Sequence, residues 1–489
     1  MTTFYIEQFG CRATQADGAA LERQLLERGC SAATEVTAAD VVVVNTCTVT
    51  AAADTQARDA IRKIHARNPA AQVIVTGCYA QRAPEELAAL PGVSWVVGNS
   101  HKPQIPNLVH EVSSSQGRSA ANGFVSTETL LNGIQNTETV LRPGKLGHSN
   151  AVPLQISAFQ SGLAKILTGD IFAQNSFLAA PILGGEGNHT RPTLKIQDGC
   201  NSRCAYCVIP FVRGKSRSLP PREVVEEIRR LSESGYREIV ISGINLGTYG
   251  RDLSPRVEFD DLLRRILDET KIARLRTSSI EPLDVTQDLI ALFASTSRLA
   301  QHFHMPLQSG SDRILAAMHR WYRAEHYARR IELIREHLPN AAAGADVIVG
   351  FPGETEEDHT ATVAFIERLP FTYLHVFSFS KRPGTRAAAL SNEVPAAVIH
   401  RRARELRSLG EEKSAAFLRL QTDRSLEVLT LRHTSRVVDA SWTPAISSNY
   451  LQVRLPGEWP PNQMMQARIV SAASGYLNAQ PGASEVFAA

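Results

Sequence analysis

The chain has 489 residues, 43% of them hydrophobic and 21% charged, with a formal net charge of +3. At roughly 150 residues per domain this allows about three domains with ordinary cores, which excludes a disordered, collagen-like or coiled-coil protein; the near-neutral balance excludes a chain-wide polyanion binder but permits local basic patches. No apolar run approaches the ~18–20 residues of a membrane span, and residues 1–10 carry Glu7 and no basic stretch, so no membrane or secretory signal is read and the expected setting is cytoplasmic, where thiols stay reduced.

Residues 1–105 alternate strands and helices. Strands are expected at 3–9, 41–44 and 73–76, and helices at 19–28, ending at Gly29, and 55–67, stopping before Pro69. The four valines at 41–44 suit a strand buried on both faces. This rhythm predicts a doubly wound parallel-sheet domain over 1–110. Residues 111–190 read as a flexible linker or insertion. Between 113 and 190, 31 of 78 positions are Ser, Gly, Asn or Thr and eight are charged, which breaks any periodicity. Short apolar pieces such as 171–180 remain free to dock.

A second α/β pattern starts at Arg191, with strands at 194–197, 238–242, 274–278, 302–305, 345–349 and 373–379. The helix at 223–231 sets Val224, Val225, Ile228 and Leu231 on one stripe. Six such units predict a partial (β/α)6 barrel over 191–420, with chemistry at the C-terminal strand ends. Residues 381–436 hold twelve Lys/Arg against six Asp/Glu. Short alternating strands at 425–430, 450–455 and 464–470 then predict a small β-barrel over 421–480, followed by a tail at 481–489.

Seven cysteines, an odd number in a reducing compartment, argue against disulfides. Cys200, Cys204 and Cys207 form C-x3-C-x2-C in a loop after a strand. Three thiolates so spaced suit three irons of a [4Fe–4S] cluster and leave the fourth iron open, whereas structural zinc wants a fourth ligand that is missing nearby. Cys11, Cys47 and Cys78 each lie one to three residues beyond an expected strand. C-terminal strand ends share one edge of a doubly wound sheet, so these thiols are expected to converge as a second site; otherwise they are three small apolar residues near loops. Cys30, after Gly29 at a helix end, has no such partners and reads as structural.

The C-x3-C-x2-C motif, with Tyr206 before its last cysteine, resembles the radical S-adenosylmethionine (SAM) superfamily. The resemblance implies a partial barrel, SAM bound through the open iron and a 5′-deoxyadenosyl radical. Two trios together resemble the methylthiotransferases of that superfamily. Phe9-Gly10-Cys11, Asn45-Thr46-Cys47-Thr48-Val49-Thr50 and Thr76-Gly77-Cys78-Tyr79-Ala80-Gln81 are similar to its N-terminal domain. Ile209-Pro210, Arg213-Gly214, Arg217-Ser218, the run His304 to Asp312 and the run Asp346 to Thr355 are similar to its radical SAM segment. The C-terminal module resembles a TRAM domain, on Asn449-Tyr450. Two features depart from the family: Thr14 stands where Asn is usual after Cys11-Arg12-Ala13, and the 113–190 segment is long.

This resemblance implies two [4Fe–4S] clusters, SAM, a tRNA anticodon stem–loop as partner and an unidentified one-electron donor, with no catalytic residue beyond the cluster ligands. It places SAM contacts at the strand ends Ser242, Gly243, Gln308, Ser309 and Gly350, where turn chemistry or helix capping is the alternative. Ile244-Asn245, the Gly247-Thr248-Tyr249-Gly250 motif and Leu374-His375-Val376-Phe377 resemble the group that methylthiolates C2 of N6-threonylcarbamoyladenosine at position 37 of tRNA. The alternatives are isopentenyladenosine in tRNA, a ribosomal-protein aspartate and, from another class, a non-catalytic RNA-binding protein with a structural metal site. Five basic residues and no acids between Arg203 and Arg222, and the run Arg401, Arg402, Arg404, Arg407, fit phosphate binding; a solvated helix face is the alternative for the second run.

Overall fold

The computed structural model describes residues 1–109, 164–182, 190–433 and 441–482. The N-terminal domain has one parallel sheet with strands in the spatial order Ser31–Ala32, Thr3–Gln8, Val41–Thr46, Gln72–Gly77, Val93–Gly98 and Lys165–Leu167. Val41–Thr46 is buried along its whole length. Side chains alternate across a strand, so Val41 and Val43 join Leu21 and Leu25 of the helix Arg12–Glu27, while Val42 and Val44 join Ile61 and Ile64 of the helix Ala51–Arg67. Thr50 caps the second helix by accepting from Ala53 N at 3.2 Å. The first helix starts well before the expected position 19. Its opening turns bury Ala13, Thr14, Ala16, Asp17 and Gly18, a small and polar face without an apolar stripe.

Much of the expected linker, residues 110–163 and 183–189, lies outside the described residues. Residues 164–182 differ from the expectation: Lys165–Leu167 is the sixth strand of the sheet, parallel to Val93–Gly98. A three-residue strand is too short to announce itself by period. The apolar piece that follows does dock, with Ile171 buried and the Phe177 ring 4.9 Å from the Lys195 ammonium.

The central domain carries the six expected parallel strands, Thr193–Asp198, Glu238–Gly243, Arg274–Thr277, His302–His304, Ala342–Val349 and Tyr373–Ser378. They form two ladders of three, joined by a bridge between Leu275 and Leu299. The short strand Arg217–Ser218 pairs antiparallel at the open edge. Five antiparallel-rich strands then close the C-terminal barrel in the order Ser425–Thr430, Trp442–Ser447, Gln452–Pro456, Tyr476–Pro481 and Met464–Ala473. The second and fifth in chain order escaped the sequence reading, and residues 483–489 of the expected tail lie outside the described set. The three-part architecture is as expected. No helix among the described residues is long and apolar enough to cross a membrane.

Buried charges join the domains. Asp17 of the first helix accepts from Lys102 Nζ at 2.8 Å, from Arg213 Nη2 at 3.1 Å and from Lys195. Asp198 accepts from Lys195 at 3.0 Å and Arg213 at 2.9 Å. Burial would raise both carboxyls, but the Arg213 charge and its neighbours hold them below the usual range, Asp198 at about 2. At the other interface Glu238 binds Arg191, Arg274 and Arg276. Arg274 and Arg276 also donate to the carbonyls of Ile446, Ser447 and Ser448 in the C-terminal barrel at 2.9–3.1 Å.

The basic run of the long helix Ala396–Arg419 is free only in part: Arg404 and Arg407 are exposed and form no ion pair with any described residue. Arg401 and Arg402 are committed to Glu356, and Arg402 also to Glu354. Removing one member of a buried ion network leaves its partners uncompensated, at a cost of about 3–5 kcal/mol. Asp17→Asn should therefore lower the unfolding free energy by about that amount in urea titrations, whereas Arg222→Ala, at an exposed pair with Glu226, should leave it nearly unchanged.

Candidate metal centres and the cavity between domains

Cys11 caps the helix Arg12–Glu27, Cys47 follows the strand Val41–Thr46, and Cys78 opens the helix Cys78–Arg82 directly after Gln72–Gly77. The three strands are neighbours, with Gln8 opposite Asn45 and Thr46 opposite Gly77. Their ends therefore meet at one edge, and the thiols meet with them. The approach is close: a Cβ on Gly10, whose φ is +96°, would lie 2.7 Å from Cys47 Sγ. Cys11 and Cys47 share a hydrogen bond that lowers the Cys11 thiol well below its ordinary range, helped by Arg213, and raises that of Cys47. Burial raises Cys78, against the pull of Arg213 and Lys102. Asn99 Nδ2 lies 3.6 Å from Cys78 Sγ. Cys47 and Cys78 are buried and Cys11 is exposed.

The other trio occupies the loop between Thr193–Asp198 and the helix Ile209–Arg213. Cys200 N donates to Gly214 O at 3.0 Å and Ala205 N to Met318 O at 2.9 Å, which pins the loop at both ends. Arg320 Nη1 donates to Cys204 Sγ at 3.4 Å while pairing with Glu281, and Asn245 Nδ2 lies 3.9 Å from Cys200 Sγ. Burial pushes Cys207 up to about 12. A cavity of about 650 Å³ opens beside Cys204, lined by Asn245, Glu281, Arg320 and Trp321 among others. Asn245 Oδ1 is buried there without a protein partner. An orphan acceptor of this kind would suit a bound ammonium such as the amino group of SAM. Three soft thiol donors with open space beside them suit an iron–sulfur cluster with one free iron. The residues present thus fit the group.

A second cavity, of about 510 Å³, draws walls from all three domains: Cys11, Arg12 and Val49, then Ser242, Gly243 and Ile244, then Tyr450 of the C-terminal barrel. Its barrel wall is a chain of rings. Asp346 accepts from His304 Nε2 at 3.0 Å and from His375 Nδ1 at 3.3 Å. With its Nε2 proton thus committed, His304 offers a Nδ1 lone pair, 2.9 Å from the Tyr373 hydroxyl. That hydroxyl then accepts from His302 Nε2 at 2.7 Å, which leaves His302 Nδ1 as a buried lone pair without a partner. Burial and then Arg276 drive His302 well below the usual imidazole range, in keeping with a neutral ring. Burial would raise the Asp346 carboxyl, yet its two histidine hydrogen bonds hold it low. His302 stacks on Tyr450 with centroids 4.4 Å apart.

Of the expected SAM contacts, Ser242 and Gly243 reach this second cavity. Gln308 and Ser309 lie away from both cavity walls. Gln308 Oε1 is buried without a partner, and Ser309 Oγ lies 3.3 Å from Thr362 Oγ1. Gly350 does not open onto either cavity; its left-handed φ of +80°, with Ile399 2.5 Å from where a Cβ would lie, accounts for its missing side chain. The ring chain was overlooked in the sequence. Its signal was the period-two spacing of His302 with His304 and of Tyr373 with His375, which puts each pair on one face of a strand.

The sequence profile of the radical SAM superfamily matches residues 194–366, and that of uncharacterized protein family UPF0004 matches residues 3–98. Threonylcarbamoyladenosine tRNA methylthiotransferase MtaB of Aquifex aeolicus is 33% identical over 92% of this chain and 96% of its own length. The enzyme of that name from Bacillus subtilis is 31% identical over 98% and 96%. A tRNA-2-methylthio-N(6)-dimethylallyladenosine synthase from Syntrophobacter fumaroxidans is 34% identical over 98% and 96%. Among solved structures, the radical SAM methyltransferase TsrM from Kitasatospora setae aligns with a TM-score of 0.53 over 79% of this chain and 77% of its own, at 16% identity, a likeness of fold alone. Fold, thiols and matches define a radical SAM enzyme that uses SAM and a [4Fe–4S] cluster. Within that class the chain belongs to the methylthiotransferase family.

Tyr373→Phe removes the hydroxyl shared by two buried histidines. It should cost about 1–3 kcal/mol of stability in chemical denaturation, with the thiol content unchanged in a denatured-state assay.

Proposed function

We propose that this chain attaches a methylthio group to C2 of N6-threonylcarbamoyladenosine at position 37 of tRNA, with Cys200, Cys204 and Cys207 holding one [4Fe–4S] cluster and Cys11, Cys47 and Cys78 a second. When bound, these groups and SAM supply a carbon-centred radical able to take an unactivated C2 hydrogen, the sulfur atom and the methyl group. The observation that carries the reading is the cavity to which all three domains contribute: Cys11 from the sheet edge, Ser242 and Gly243 from the barrel and Tyr450 from the C-terminal module. Burial raises the Cys78 thiol, while Arg213 draws both Cys11 and Cys78 toward the thiolate that a cluster ligand needs.

RNA is commonly recognised through unstacked loop bases received between flat side chains. The His302–Tyr450 stack forms an aromatic wall of the cavity, and a volume of about 510 Å³ is large enough for a modified nucleoside. Arg203 and Lys215 are exposed beside the radical-cluster loop and available to phosphates, whereas Arg222 pairs with Glu226 and Arg213 and Arg217 are buried. Ile244, one of the positions that resembles the threonylcarbamoyladenosine group, lies on the cavity wall. The partners are then the tRNA anticodon stem–loop and a one-electron donor.

Nucleoside mass spectrometry of tRNA from a strain lacking the gene tests the assignment. The 2-methylthio derivative of threonylcarbamoyladenosine should vanish, return with the wild-type gene, and stay absent with Cys11→Ala or Cys204→Ala. Loss of the 2-methylthio derivative of isopentenyladenosine instead, or an unchanged tRNA profile with a change in a ribosomal protein, would contradict it.

A further inference from the structure

The cavity between the domains is electrostatically lopsided. On the barrel side Asp346 is capped by two imidazole donors, and Arg276 is committed to Glu238 and to carbonyls of the C-terminal barrel. On the opposite wall Arg12, next to Cys11 in the chain, is exposed and forms no ion pair with any described residue. Its charge nevertheless reaches across the cavity, bearing on both His302 and Tyr373. An uncompensated guanidinium facing a pocket with aromatic walls is a receptor for a carboxylate, since its planar fork matches two oxygens.

The chemistry of the proposed substrate matches this placement, and the inference rests on that reading. The threonylcarbamoyl substituent carries a carboxylate, whereas a dimethylallyl substituent carries none. Its ureido N–H can close a six-membered hydrogen-bonded ring onto N1 of the adenine, which brings the amino-acid portion to the edge of the base that also bears C2. A base presented with C2 toward Cys11 therefore presents its carboxylate to the residue beside Cys11. We propose that Arg12 reads this carboxylate and is the residue that selects an acidic N6 substituent over an apolar one.

The test is equilibrium binding of the reconstituted full-length protein to two anticodon stem–loops. One carries threonylcarbamoyladenosine and the other its carboxamide, which has the same shape without the charge. Wild type should prefer the carboxylate by about tenfold, or about 1.4 kcal/mol. Arg12→Ala should bind the two alike, and Arg12→Lys, which keeps the charge but not the planar fork, should keep only part of the preference. Iron content equal to wild type in both variants separates a lost contact from a damaged centre. An Arg12→Ala protein that retains the wild-type preference overturns the assignment, as does a wild type that binds both alike. A wild type that methylthiolates a dimethylallyladenosine stem–loop but not the threonylcarbamoyl one overturns the substrate reading, and the assignment with it.

Discussion

The structure depends on the buried charge network that clamps the N-terminal sheet domain to the partial barrel. Asp17 belongs to one domain and Lys195, Asp198 and Arg213 to the other, and all are nearly inaccessible to water. Such a network contributes little net stability, because desolvating the charges offsets most of the Coulomb attraction. Its consequence is positional. Arg213 lies in the first turns after the Cys200–Cys207 loop and touches Thr14, three residues after Cys11. One guanidinium thus ties the two thiol trios into one rigid frame and sets a positive field over Cys11 and Cys78.

The same geometry creates the cavity. A parallel sheet presents its C-terminal strand ends along one edge, and a barrel presents its own at one mouth. With the two clamped face to face, Cys11 and Ser242 line a common volume, and the C-terminal barrel adds Tyr450 as the remaining wall. Arg274 and Arg276 hold that barrel in place through backbone carbonyls, so the stacking of Tyr450 on His302 is set by the interface itself. The rings of His302, Tyr373 and His304 are fixed in turn by hydrogen bonds whose direction follows from the acceptor Asp346. The site is stiff on its barrel side and carries on the other Arg12, which forms no ion pair with any described residue.

Much of this was legible in the sequence because spacing and period are local. Four consecutive valines marked a strand buried on two faces, and C-x3-C-x2-C marked a three-thiol loop. The positions of Cys11, Cys47 and Cys78 after strands foretold their meeting, since strand ends of one parallel sheet lie side by side. What escaped was long-range or weakly apolar. The opening of the helix Arg12–Glu27 packs small and polar residues against another domain, so it carries no stripe. Arg401 and Arg402 looked free because Glu354 and Glu356, which bind them, lie more than 40 residues away in the chain. Gly350 looked like an opening for a ligand, but Ile399 from a distant helix fills the space. Charge pairing and packing partners are properties of the fold, and a linear reading sees only half of each pair.

The central claim is that the two domains hold two separate iron–sulfur clusters, one beside the cavity at Cys204 and the other beside the cavity at Cys11. Anomalous diffraction at the iron edge from crystals of the anaerobically reconstituted protein tests it most directly. The account predicts two iron peaks, one enclosed by Cys11, Cys47 and Cys78 and the other by Cys200, Cys204 and Cys207. A single iron peak at the barrel loop, with Cys11, Cys47 and Cys78 free of metal, would contradict it.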